Sequence, residues 1–103
     1  MIDDRMNERA SSSAPSRELL LATHAFPGEY IVKAFGPGTQ EFRDAVHACA
    51  GAVVGHARVR SAERATRSAS RVCITLTLSV ETVDDIIGVY VKIAAVPDLI
   101  MLL

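Results

Sequence analysis

The chain has 103 residues, 50% of them apolar, 22% charged and 5% aromatic, with a formal net charge of -1. That length holds one domain rather than two, and the composition is globular, because a disordered chain is poorer in aliphatics and further from neutrality. The near-neutral charge argues against non-specific nucleic-acid binding by the whole chain, and the absence of Trp leaves a core of Val, Ile, Leu and Ala.

Residues 1–24 read as a flexible N-terminal tail. Asp3, Asp4, Arg5, Glu8 and Arg9 mix both charges, and Ser11 to Ser16 is a small polar run without periodicity. Leu19-Leu20-Leu21 is its one apolar segment, a short turn able to pack on the domain. The folded domain is expected over residues 25–103, opening at the turn Phe26-Pro27-Gly28. Tyr30 to Phe35 is β-branched and aromatic, which suits a strand, and Gly36-Pro37-Gly38 ends it. Thr39 fits a helix N-cap, with Glu41 where the helix dipole favours an anion. Phe42, Ala45, Val46, Cys49, Ala50 and Val53 then form one helical stripe, and Gly55 is placed to stop it. Ala57 to Ser61 reads as a second strand and Glu63 to Ser68 as a connection. From Arg71 to Val80 the alternation is strict: Val72, Ile74, Leu76, Leu78 and Val80 share one face, and Cys73, Thr75 and Thr77 the other. Thr82 caps a second helix, with Asp84 and Asp85 in its first turn. Its stripe is Val83, Ile86, Ile87, Tyr90 and Ala94, with Ile93 alongside. Pro97-Asp98 ends the helix, and Leu99 to Leu103 closes the chain as a final strand.

The order β-α-β-β-α-β, joined by right-handed crossovers, predicts an α+β fold. It is a ferredoxin-like two-layer sandwich, with a four-stranded antiparallel sheet of order 4-1-3-2 and two helices on one face.

Phe26-Pro27, Tyr30, Lys33 and Gly36 fall in the pattern F-P-x-x-Y-x-x-K-x-x-G, and the second half adds Tyr90, Val96-Pro97 and a closing Met101-Leu102-Leu103. Over residues 26–103 the chain resembles the bacterial YbeD-like family, a domain family of unknown function with an ACT-like fold. The resemblance implies a regulatory or small-molecule-sensing role. It departs before the third strand, where Thr66-Arg67-Ser68-Ala69-Ser70 has neither the Gly nor the Tyr usual there.

Chemistry-bearing residues are few. Cys49 and Cys73 are too few for a disulfide framework, and with His24, His47 and His56 they show no metal-ligand spacing. Asp44 and His47 stand at i, i+3 as a surface pair. No nucleophile, base or metal set is visible, so neither an enzyme nor a cofactor is expected. Lys33, Gly36, Pro37, Gly38 and Thr39 form the candidate ligand site: a strand end meets a helix N-terminus there, with Lys33 as an anion contact. Arg58, Arg60, Arg64, Arg67 and Arg71 form a basic hairpin with only Glu63 opposing them. A nucleic-acid partner is disfavoured, because the third strand offers no ring for base stacking. Ile31, Phe35, Cys73, Thr75, Ile100 and Leu102 are expected on the open sheet face, an interface for a homodimer or another protein, or a surface covered by the Leu19–Leu21 arm. The expected partners are thus a second copy of the chain, a small-molecule effector such as an amino acid, or a protein. No signal peptide is apparent. The longest apolar stretch, Ile86 to Leu103, is broken by Lys92, Pro97 and Asp98 and falls short of a span of about 20 residues. A soluble, cytoplasmic protein is expected.

Overall fold

The computed structural model describes residues 14–68 and 70–103. Its elements are α1 (Arg17–Thr23), β1 (Gly28–Pro37), α2 (Gln40–Val54), a 3-10 turn (His56–Arg58), β2 (Val59–Ala65), β3 (Arg71–Val80), α3 (Val83–Ala94) and β4 (Met101–Leu102). The sheet is antiparallel with order β2-β3-β1-β4, which from the β4 edge reads 4-1-3-2. β1 and β3 occupy the centre, and all ten residues of each are paired with the other.

Val32 and Ala34 of β1 and Val72, Ile74, Leu76, Leu78 and Val80 of β3 are buried on one face. Phe42, Val46 and Ala50 of α2 join the same cluster, as do Val83, Ile86, Val89, Tyr90 and Ile93 of α3. Both long helices therefore cover one side of the sheet. The other side is open, with Ile31 and Lys33 exposed.

Local chemistry sets the helix ends. The Thr39 hydroxyl accepts from the Phe42 N–H at 3.2 Å, satisfying a first-turn donor. Gly55, with φ at 94°, stops α2 in a conformation that disfavours side chains. At α3 the Asp85 carboxylate reaches back to the N–H groups of Glu81 and Thr82 at 2.9 and 3.3 Å.

Several expectations change. Within the expected tail, Arg17–Thr23 is helical, because Ser16 accepts from the Leu19 N–H at 3.1 Å and Leu20 is buried. Asp3, Asp4, Arg5, Glu8, Arg9 and Ser11 to Ser13 lie outside the described residues. α1 contacts α3 on the helical side, and Arg17 meets Asp84 at 2.6 Å, so the leucine arm is not laid over the open sheet. β2 starts at Val59, not Ala57, and runs on to Ala65, because pairing with β3 supports polar residues on an exposed edge. Along α3 the buried stripe includes Val89, while Ile87 is half-buried and Ala94 exposed. The final strand is only Met101–Leu102, although backbone bonds continue on both sides of it: Ile100 N–H to Phe35 O at 2.7 Å and Leu103 N–H to Lys33 O at 2.8 Å.

Leu102 does not belong to the open face. It pairs with the core residue Ala34, whereas Met101 pairs with Phe35. A one-residue change of register moves every side chain to the other face. Leu102 accordingly packs against the core, and Met101 and Leu103 take the open side.

Candidate functional site

Where β1 runs into α2, the chain makes a tight passage whose backbone is already committed. Gly36 is buried beneath the Phe42 ring, and a Cβ there would collide with three ring atoms. Gly38 donates its N–H to the Ser70 carbonyl at 3.1 Å and accepts from Arg43 Nη1 at 3.3 Å. The Arg43 N–H is bonded to the Thr39 carbonyl at 3.2 Å. Gly36 therefore serves packing, and the single Gly38 N–H is engaged within the protein.

Side chains instead form a depression of about 520 Å3 beside this loop. Pro37 and Thr39 line it. Glu41 of α2, Arg71 at the start of β3 and Asp98 after α3 complete its charged wall. Asp98 has φ of 69°, a left-handed conformation uncommon for a residue other than glycine. Lys33 is not among the lining residues. It lies three residues back along β1, on the open face, opposite Thr75. In the sequence Arg71 belongs to the basic hairpin and Asp98 only to the end of a helix. Only the tertiary fold brings either to this loop.

The open face has its own order. Alternation from the observed register places Ile31, Lys33 and Phe35 of β1, Cys73, Thr75 and Thr77 of β3, and Arg60, Ala62 and Arg64 of β2 on it. Ile100, 53% exposed, stands at the end of the sheet and lines the depression beside the loop. Ile31, Phe35, Cys73 and Thr75 are thus accessible wholly or in part, and Met101 takes the place of Leu102. Ile100, which shares the parity of Leu102, is exposed at the sheet end and is not placed on the open face by alternation.

The five arginines of the hairpin do not act as one patch. Arg58 meets Glu81 at 3.0 Å and Arg60 meets Glu29 at 2.8 Å. Glu63 is taken by Arg43 at 2.8 Å rather than by the hairpin. Among the described residues, Arg64, Arg67 and Arg71 have no carboxylate partner.

The remaining polar groups are mostly structural. Burial raises the Cys49 thiol above its ordinary pKa, against a smaller lowering by Lys92, so its reactive thiolate form is disfavoured. The thiol sits 3.5 Å from the Lys92 carbonyl. Asp44 accepts from Gln40 Nε2 at 2.8 Å, in place of the expected pairing with His47. His47 Nε2 is buried without a partner among the described residues. No group of three or more His, Cys, Asp or Glu among those residues is placed to hold a metal ion. None of their helices is long and apolar enough to cross a membrane.

Residues 22–103 match the family described as "Protein of unknown function (DUF493)", and the chain belongs to that family, with which the YbeD-like resemblance is consistent. No curated protein and no solved structure matches the chain.

Proposed function

We propose that this domain is a non-enzymatic, small-molecule-sensing module of the ferredoxin-like, ACT-like kind. The β-α-β-β-α-β core, with two helices on one face of the sheet, supports that fold reading. The observation that carries the functional reading is the charge set of the loop depression. Glu41 and Asp98 supply carboxylates, Arg71 a guanidinium and Thr39 a hydroxyl around one concavity. Those groups complement an amino-acid-like zwitterion, whose ammonium needs carboxylates and whose carboxylate suits an arginine fork.

A calorimetric screen of amino acids tests this. A ligand selective for the folded state at a hundredfold its Kd adds about 2.7 kcal/mol of stability, which a thermal shift resolves. At least one amino acid is expected to bind, and the double substitution Glu41→Gln with Asp98→Asn is expected to abolish binding without unfolding the protein. A flat screen, or a binder indifferent to both carboxylates, would overturn the reading.

A second reading, a protein-interaction role by self-association, rests on the open face. Ile31 is 55%, Met101 45% and Leu103 58% exposed there. Monomers seldom leave a joined apolar patch of several hundred Å2 bare.

A further inference from the structure

A second concavity lies on the open sheet face; it shares Arg71 with the charge set just described but neither of its carboxylates. One row of side chains crosses all four strands: Arg64 of β2 is opposite Cys73 of β3, Cys73 opposite Phe35 of β1, and Phe35 opposite Met101 of β4. Two positions before Cys73, Arg71 returns to the same face. With Ile100 at the strand end, these residues bound a groove of about 320 Å3.

The chemistry of this groove is one-sided. Phe35, Cys73, Met101 and Ile100 offer an apolar floor, and Arg64 and Arg71 supply the charge. No carboxylate lines it. Arg43, Arg58 and Arg60 each hold a glutamate, whereas among the described residues Arg64 and Arg71 hold none. Glu29, at the far end of β1, is engaged by Arg60. A bound ammonium would find two guanidiniums and no acceptor of opposite charge, so a zwitterion is disfavoured here. An anion with an apolar body meets both requirements, because charge-assisted bonds to arginine are about twice as strong as neutral ones and the floor gains from losing water.

We propose that this groove binds a small organic carboxylate that carries an apolar body and no ammonium group. Its head lies between Arg64 and Arg71, and its body covers Phe35, Cys73 and Met101. The groove shares Arg71 and Ile100 with the loop depression, but only the depression contains Glu41 and Asp98. Both sites offer Arg71 to a carboxylate, and they differ in that only the depression has carboxylates to hold an ammonium.

The test uses the full chain and three probes of one carbon skeleton: 3-phenylpropionate, its uncharged amide, and phenylalanine, which adds the ammonium. Binding is followed by the Met101 methyl resonance and by the rate of Cys73 alkylation. 3-Phenylpropionate is expected to shift the methyl signal saturably and to slow alkylation. The amide and phenylalanine should bind there about tenfold more weakly or worse, and Arg64→Gln should weaken 3-phenylpropionate by a similar factor. Arg17→Ala, on the helical side, should leave its affinity unchanged. Absence of saturable binding, equal binding of the amide, or indifference to Arg64→Gln would overturn the proposal. Loss of amino-acid binding in the Glu41 and Asp98 variants bears only on the loop depression, so the two readings fail separately.

Discussion

At Gly36 there is no room for a methyl group, since the Phe42 ring lies directly on the backbone and is itself buried. Gly36→Ala removes the backbone-entropy cost of glycine, about 0.5–1 kcal/mol, but overpacks the junction by about 1–3 kcal/mol. Net destabilisation in chemical denaturation is expected. Combining it with Phe42→Leu should cost less than the sum of the single changes, because the two groups contend for one space. Full additivity would show that the ring is not the obstacle. Tyr90 gives a second residue-scale test. It is buried, it shares a 3.3 Å hydrogen bond with the Tyr30 hydroxyl, and the rings meet edge to face at 6.2 Å. Burial and then that bond raise its phenol above the ordinary value of about 10. The folded protein thus keeps a proton that the unfolded chain releases first. The contribution is complete below about pH 10 and is lost as pH rises beyond it. Tyr90→Phe should cost about 1 kcal/mol at neutral pH and flatten the alkaline decline in stability. An unchanged alkaline decline would exclude Tyr90 as its source.

At the scale of elements, α1 extends the domain beyond what hydrophobic periodicity announces. Seven residues are too few for a stable isolated helix, so α1 depends on Leu20, which is 1% exposed. Leu20→Ala should destabilise the protein by about 2–4 kcal/mol, whereas Arg17→Ala, which breaks an exposed ion pair, should change stability by less than about 1 kcal/mol. Equal effects in urea melts would show that α1 is held by charge. The contrast with α2 explains which elements are legible in a sequence. α2 declares itself locally, since Thr39 caps it, Gly55 stops it and Phe42, Val46 and Ala50 fall at helical spacing. β3 does the same through strict alternation. α3 is apolar at Ile86, Ile87, Val89, Tyr90, Val91 and Ile93, so periodicity alone does not choose the buried side. Leu99 to Leu103 is apolar throughout and carries no alternation, so only pairing with β1 decides that Met101 and not Leu102 faces outward. The candidate site shares this difficulty. Thr39 and Glu41 are visible beside the loop, but Asp98 reaches them from the other end of the chain.

For the whole molecule, the open sheet face decides whether the chain works alone. Strands of ten, seven, ten and two residues, spaced about 4.8 Å apart and rising about 3.3 Å per residue, present a face of roughly 460 Å2. A standard interface buries about 800 Å2 per partner, so this face alone lies at the weak end of stable association. A two-fold partner would lay the patch of Ile31, Phe35, Met101 and Leu103 against the same patch of the other copy, since a symmetric dimer uses one patch twice, and would compete with a ligand for Phe35 and Met101. It would also bring Lys33 and Arg64 of both copies to the same face, and like charges there oppose the apolar gain. Such a dimer should be concentration-dependent and should tighten with added salt, as screening relieves the repulsion. Sedimentation velocity across the micromolar range is expected to show monomer and dimer in exchange. Ile31→Lys places a further charge in the patch at a position already 55% exposed, so it should abolish the dimer and leave monomer stability nearly intact. A parent protein that stays monomeric throughout, or a dimer untouched by Ile31→Lys, would move self-association away from this face. The open sheet would then present the Arg64–Arg71 groove to solvent in every molecule.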